Sequence, residues 1–307
     1  MIRLSIVLLS LLTTLSFAQA PLTGLIAYYP FTNNANDASG TNNNGVVYGA
    51  TPVDGQNGLA NSAYRFADGN KIIVANNTSL KITNEFSFSA WVRLRSFAGR
   101  NNTDGSLSSY GTHAIFAKDC DQGWFSCTLI TDSKTPNTVI LSSGNWLGGW
   151  QYYYFTYTVG NWVHVAIVNK NNRLEQYING KMVSASFSNI DFTQVNSANL
   201  YIGGMACWPY FFNGDLDEMR FYNRGITESE VAAMYEFEKK PIFSINHGNW
   251  NDTSVWSCNC VPTSTDVVQV SHSISVPAKT AAYAWNVQYN LNGQVALESD
   301  ARLILSK

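Results

Sequence analysis

Hydrophobic and polar residues alternate with a period of two along much of this chain. In Phe86-Ser-Phe-Ser-Ala-Trp-Val-Arg-Leu, the residues Phe86, Phe88, Ala90, Val92 and Leu94 share one face and Trp91 and Arg93 the other. This is the pattern of a strand with one face packed on a core. Val163, Val165 and Ile167 alternate against His164 and Ala166, and Leu174, Gln176 and Ile178 against Glu175 and Tyr177. That last run ends at Asn179-Gly180, a pair that closes tight hairpins because both residues tolerate positive φ. Such runs recur between Asn/Gly/Ser clusters, which predicts an all-β sandwich or barrel of antiparallel strands. One segment departs from the pattern. From Thr227 to about Phe237 the chain predicts a helix: Thr227 and Glu230 form a capping box and Ile226 can staple onto Val231. Val231, Met234 and Tyr235 give this helix a narrow apolar stripe for docking on the sandwich.

Both ends of the chain differ in texture. Residues 1–18 have the form of a secretory signal, with Arg3 before the apolar run Leu4 to Leu15. That run is shorter than the roughly 20 residues needed to span a bilayer. Cleavage after Ala20 would satisfy the small-x-small rule but leave Pro21 at the terminus, so cleavage after Ala18 is favoured. The expectation is an exported chain, secreted or held at the cell surface, with no membrane span after processing. Glu238-Lys-Lys-Pro241 marks a linker, and residues 241–307 form a separate tail. Short strands are expected there near Val267–Val270, Ser273–Val276, Asn286–Tyr289, Gln294–Leu297 and Arg302–Leu305. Their even spacing predicts a small β-solenoid-like tail. So few rungs are marginal alone, so the tail is expected to lean on the sandwich or on a partner.

Composition narrows the function. Charged residues make up 13% of the chain and the net charge is −2 with no basic run, which excludes a nucleic-acid surface. Five cysteines in an exported chain imply disulfides with one thiol left over. Cys120 and Cys127 flank the turn-like Asp121-Gln-Gly-Trp and are the expected pair, worth about 2–3 kcal/mol by loop closure. A bridge between Cys258 and Cys260 is expected to be strained, and Cys207 has no evident partner.

Eight segments then fall in a telling order. They run GLIAYYPF, NDASGTNNNG, NSAYRFADGNKIIV, FSFSAWV, NWVHVAIV, LEQYINGKMV, LYIGG and FNGDLDEMRFYNRGITESEV. Together, over residues 22–238, they resemble the laminin-G-like, concanavalin A-type family. The resemblance implies a two-sheet antiparallel jelly-roll sandwich with aligned packing, the short helix near its C-terminal end, and a glycan- or protein-binding role. The tail, with its Asn249-Trp250…Trp256 and Val261-Pro-Thr, is similar to short modules on secreted bacterial surface proteins. The family often carries a calcium ion, which points to Asp37 in its Gly/Asn-rich loop. Asp217 is the second candidate, because strand parity puts it with Met219 and Phe221 on the apolar side, where a carboxylate must be paired or metal-bound.

Sugar recognition needs exposed aromatic faces beside hydrogen-bonding groups. In Trp146 to Tyr157, WLGGWQYYYFTY, the residues Trp150, Tyr152 and Tyr154 share one strand face and Tyr153, Phe155 and Tyr157 the other. One set must be core, so the other can form a platform, with Trp146 beside it. Trp208 and Tyr210, in the loop before the last sandwich strand, are further candidates for clamping a ligand. Packing of a large sandwich would equally account for any one of these rings. Phe97 to Gly111 reads as a long polar insertion. Catalysis has little support. Glucanases of this fold carry a Glu-x-Asp-x(-x)-Glu strand, and only Glu298-Ser-Asp300 begins that pattern, in the tail and without a third carboxylate. His113, in an expected loop, and His164, His247 and His272 form no metal spacing, and no Gly-x-Ser-x-Gly elbow is present. The expected function is therefore non-catalytic binding of glycans or adhesion. A protein–protein module of an exported assembly and an atypical glycoside hydrolase are the alternatives.

Overall fold

The computed structural model describes residues 20–305 except 68, 82–84, 101–105, 119–124, 132–133, 146–148, 189–197, 207, 239–240, 265 and 285. The expected leader, Cys120, Trp146, Cys207 and the two linker lysines lie outside the described residues.

Two antiparallel sheets form the sandwich. From edge to edge, the first runs Lys181–Phe187, Arg173–Ile178, Val163–Lys170, Phe86–Leu94, Gly214–Tyr222, Ala63–Phe66 and Thr51–Val53. The second runs Gly149–Thr156, Thr138–Asn145, Phe125–Thr131, Thr112–Lys118, Leu200–Ile202, Lys71–Val74 and Gly45–Tyr48. The opening strand Leu25–Tyr29 pairs with Gly214–Tyr222, with Tyr28 opposite Arg220 and Tyr29 opposite Met219. All five residues predicted on the apolar face of Phe86–Leu94 lie in the inter-sheet core, as do Val163, Val165, Ile167 and Leu174. Aromatic rings knit the two sheets. Phe88 of the first meets Phe116 of the second at 4.3 Å, and Phe86 meets Phe125 at 4.8 Å. Each fully buried Phe contributes roughly 1.5–3 kcal/mol of hydrophobic stabilisation.

The helix Glu228–Glu238 covers the outer face of the first sheet. Its capping box closes reciprocally: Thr227 N donates to Glu230 Oε2 at 2.7 Å, and Glu230 N donates to Thr227 Oγ1 at 3.2 Å. The Arg224 guanidinium also grips Glu230 and holds its carboxyl down at about 2. Ile226 and Val231 pack in one cluster, as the staple requires, and Tyr235 stacks on Trp91 at 5.5 Å. Because of this lid, the non-core face of the central strands is also buried: Trp91, His164 and Ala166 are all covered. Alternation placed these residues on the right face, but that face is a second interior.

Asp217 corrects the parity reading. A bulge interrupts Gly214–Tyr222 between Asp217 and Arg220, where Glu218 takes φ 51°. An extra residue in one strand reverses the facing of everything after it. Leu216, Met219 and Phe221 therefore all enter the core, while Asp217 pairs with Trp91 and Arg220 with Ser89 on the helix-covered face. Asp217 is fully buried, but under the lid and not in the inter-sheet core.

The cysteine pairing is also corrected. Cys127 is a free thiol in the inter-sheet core. It alternates in phase with Phe125 and Leu129, so its Sγ points between the sheets; burial pushes the thiol pKa up. The disulfide among the described residues joins Cys258 to Cys260.

His113 lies on the strand Thr112–Lys118 and not in a loop; it is fully buried. Burial lowers its pKa from 6.5 to about 4, against a weaker upward pull from the Phe97 carbonyl. Between these values the unfolded chain binds the extra proton, so this histidine contributes destabilisation that is absent above pH 6.5 and grows towards pH 4, by about 1.4 kcal/mol per unit. Urea unfolding of wild type and His113→Gln at pH 7 and pH 5 should show the variant gaining on wild type at the lower pH. A constant difference would refute this role.

In the tail, all five expected strands form within the expected bounds, and Ile242–Phe243, Gly248–Asn249 and Ala281–Ala284 join them. They build three parallel ladders of two or three strands, stacked as solenoid rungs. Trp250 and Trp256 fill the interior at 4.9 Å, and Trp256 Nε1 donates to the Trp250 carbonyl at 2.7 Å.

Candidate functional site

The outer face of the second sheet carries the groove that unites most of the predicted aromatics. On Phe125–Thr131, the residues Phe125, Cys127 and Leu129 point into the core, so Ser126 and Thr128 point outward. Ser142 pairs with Thr128 on one side and with Tyr152 on the other. These small hydroxyl residues make the floor of a groove of about 210 Å³. Trp150 and Tyr152 form one wall, Trp208 and Tyr210 the other. Of the opposite set, Phe155 packs against the core and Tyr157 is buried in it, while Tyr153 lines a separate cleft with Phe155, Ile178 and Tyr235. Tyr154 shares the outer face and is exposed, but it stands over Ile140, one step beyond the groove.

The second wall is built by a closed loop. Leu200–Ile202 lies between Thr112–Lys118 and Lys71–Val74, so the chain leaving it emerges beside the groove. Gly203 takes φ 73°, and a Cβ there would lie 2.2 Å from the Phe66 ring, so this tight exit requires glycine. Phe212 N donates to the Gly203 carbonyl at 2.9 Å, and Met205 N to the Tyr210 carbonyl at 3.1 Å. The tip is thereby fixed, with the Trp208 and Tyr210 rings stacked at 5.9 Å and 6° apart. Met205 packs with Ala114 and Ala117 beneath Tyr210. Trp208 is 48% and Tyr152 51% exposed, so both offer ring faces to solvent. Ser126 Oγ, buried at the floor, has no hydrogen-bond partner in the protein.

The arrangement can stack sugar C–H faces against the exposed rings, over a floor of half-buried Ile130 and buried Ser126, Thr128 and Ser142. Ser126 and Thr128 are not among the residues singled out from the sequence, although their alternation with Phe125, Cys127 and Leu129 is the signal that marks them as outward residues. Nothing local, however, linked them to a loop some eighty residues away.

Of the two carboxylates expected to hold calcium, Asp37 meets donors in the loop after the opening strand and Asp217 lies beneath the helix. Five donors lie within hydrogen-bond reach of Asp37: Tyr28 N and Ser39 N at Oδ1, and Ser39 Oγ, Asn43 N and Thr41 Oγ1 at Oδ2, the Thr41 proton being shared with the Ile26 carbonyl. Burial would raise its pKa, but these bonds outweigh it and hold the carboxyl below its usual range. A carboxylate has about four lone-pair sites, and here donors already face both oxygens, a setting that does not suit a cation. Asp217 instead accepts from Gln56 N at 2.9 Å, beneath the helix lid. No cluster of three or more His, Cys, Asp or Glu able to hold a metal occurs among the described residues. The candidate hydrolase residue Glu298 accepts from Ala278 N in the tail.

Two antiparallel sheets packed face to face, with an aromatic groove on one outer face, define a jelly-roll sandwich of the concanavalin A type. Residues 66–232, more than half of the chain, match the laminin-G-like family of the concanavalin A-like lectin/glucanases superfamily, and the chain belongs to it. Among solved structures it is similar to domain 4 of AbnA, a GH43 extracellular arabinanase from Geobacillus stearothermophilus, solved with arabinotriose. Identity there is 23%, the match covers 69% of this chain and 98% of that one, and the TM-score is 0.53. It is also similar to the binding domain of Paraclostridial Mosquitocidal Protein 1, at 19% identity over 73% of this chain and 54% of that one, with a TM-score of 0.52. A third is botulinum neurotoxin type C, whose cell entry depends on two ganglioside molecules: 14% identity, 72% and 53% coverage, TM-score 0.52. The chain thus spans about half the length of the two toxin chains. At these identities the likeness is one of fold. No curated protein matches the chain.

Proposed function

We propose that this protein is a secreted or cell-surface, non-catalytic glycan-binding module, with the groove between Trp150/Tyr152 and Trp208/Tyr210 as its recognition surface. The observation that carries this reading is the meeting of four separately predicted aromatics over a floor of small hydroxyls. The arabinotriose-bound arabinanase domain and the toxin binding domains are consistent with it, as relatives in fold. Export rests on the signal-like residues 1–18. Among the described residues, no helix is long and apolar enough to cross a membrane.

Retention on an array of plant, algal and host polysaccharides tests the proposal. Binding of at least one glycan class without turnover is expected; no retention across the array would sink it. Hydrolysis of a retained glycan would instead favour the glycosidase alternative. A protein-docking role draws on the last rung of the tail, where Tyr289, Leu291, Leu297 and Leu305 are exposed; sugar binding that survives deletion of residues 241–307 would separate that role from recognition. Calcium stands outside this reading, because protein donors already face both Asp37 oxygens. EDTA is expected to leave both retention and melting temperature unchanged, and a fall of several degrees would restore the ion.

A further inference from the structure

A separate cleft of about 540 Å³ opens where the edges of the two sheets meet the helix. That volume lies within the ~300–1,000 Å³ of small-molecule sites. Gly149–Thr156 is the edge strand of the second sheet here and Lys181–Phe187 that of the first. One wall comes from the aromatic set that does not face the groove. Tyr153 and Phe155, two apart on the edge strand, hold their rings 6.5 Å apart and within 14° of parallel. Both are half-buried, so part of each ring stays open to the cleft. Ile178 and Val183 of the first sheet and Ala232 of the helix add aliphatic surface from the other elements. Two contacts frame this space. Gln151, on the same strand face as Tyr153, shares a side-chain hydrogen bond with Ser184 at 2.7 Å and ties the two sheet edges together. Gly180 takes φ 75°, and a Cβ there would lie 3.0 Å from Tyr235 Cβ, so the Asn179-Gly180 turn approaches the helix this closely only with glycine.

The polar groups of the cleft suit a sugar. Asn179 N donates to the His164 carbonyl at 2.8 Å, and Asn179 Oδ1 accepts from His164 N at 3.0 Å. These bonds lock the side chain and leave its NH2 group as a donor at the cleft. Lys181 and Glu236 add an ammonium and a carboxylate to the lining. A flat aromatic wall beside a planar amide and charged hydrogen-bonding groups meets both needs of a sugar, C–H faces and hydroxyls. We propose that this cleft is a second glycan site, in which a sugar ring stacks on Tyr153 and Phe155 while its hydroxyls meet Asn179, Lys181 and Glu236. This rests on the glycan reading of the outer groove for the class of ligand and adds a second point of attachment. Tyr152 lines the groove and Tyr153 the cleft, so the two sites lie back to back across one edge strand. Two sites on one scaffold hold a polysaccharide more tightly than either alone, because engaging one raises the effective concentration of chain at the other.

Affinity electrophoresis tests this in gels cast with the array polysaccharide that binds wild type best. Tyr153→Ala should weaken retention about 10-fold. Trp208→Ala should keep a residual retention that Tyr153→Ala/Trp208→Ala loses. Ala232→Leu narrows the cleft from a helix position where leucine is well tolerated, and it should reproduce the Tyr153→Ala loss with melting temperature kept. Wild-type retention in both Tyr153→Ala and Ala232→Leu would overturn the inference. So would a loss confined to Tyr153→Ala and matched by a fall in melting temperature. In either case the groove still stands if Trp208→Ala loses retention. Loss in Tyr153→Ala and Ala232→Leu with none in Trp208→Ala would keep the cleft and sink the groove. A wild type that binds no polysaccharide of the array would sink both readings.

Discussion

Replacing Trp208 by alanine is expected to weaken glycan retention about 30-fold or more while leaving the fold intact. Aromatic anchors at the centre of a recognition surface are worth about 2 kcal/mol or more on truncation, which is about 30-fold in affinity. Trp208 stands at the tip of a loop closed by two backbone hydrogen bonds, so its ring is held in place before any ligand arrives. It is also half exposed, so its loss should change stability by only about 0.5 kcal/mol. Tyr154→Ala is the paired control. Tyr154 is as exposed as Tyr152 and lies on the same strand face, but it does not line the groove. Affinity electrophoresis of both variants should show Trp208→Ala losing retention and Tyr154→Ala keeping it. Equal effects would mean that the whole aromatic face, and not the groove, holds the sugar.

The second large effect concerns stability. Arg220 and Glu238 form an ion pair with side chains 4% and 1% exposed, between the first sheet and the end of the helix. Arg220 also meets Glu218 at 2.9 Å and lies 3.9 Å over the Tyr28 ring. Glu238 accepts from Trp91 Nε1 at 2.9 Å as well. Burial drives the Glu238 pKa up and Arg220 opposes that rise. Arg220→Met would leave the carboxyl buried without its cation, at a cost of about 3–5 kcal/mol, or roughly 10 °C in melting temperature for a domain of this size. Removing both partners, in Arg220→Met/Glu238→Met, is expected to recover more than half of that loss, because an apolar pair in the same space carries no desolvation cost. A single variant within about 1 kcal/mol of wild type would show that the buried pair does not hold the lid.

Much of this architecture is legible without coordinates because it is local. The capping box at Thr227 and Glu230 lies within one helical turn. The hairpin at Asn179-Gly180 needs only two residues that accept positive φ, and they adopt 49° and 75°. Alternation named the core side of Phe86–Leu94 residue by residue. The misreadings share a different cause. The parity of Asp217 failed at a bulge whose residue, Glu218, carries no glycine or proline to announce it. The disulfide at Cys127 was inferred from a turn, while the strand's own alternation with Phe125 and Leu129 already pointed its thiol inward.

The candidate site divides along the same line. The sequence by itself determined the sandwich, the helix that seals its outer face, five strands of the tail and the two alternating aromatic sets between Trp150 and Tyr157. Each follows from periods of two or 3.6 residues and from turn chemistry, which neighbours along the chain are enough to specify. Only the tertiary structure decided which aromatic set faces outward, and that Trp208 and Tyr210 stand opposite it. Strand order within the second sheet makes that choice. Leu200–Ile202 pairs with Thr112–Lys118 and Lys71–Val74, which brings the loop that follows it to the edge of the groove floor. Pairing between distant strands leaves no period in the sequence, so it is settled by which packing buries the most apolar surface over the whole chain.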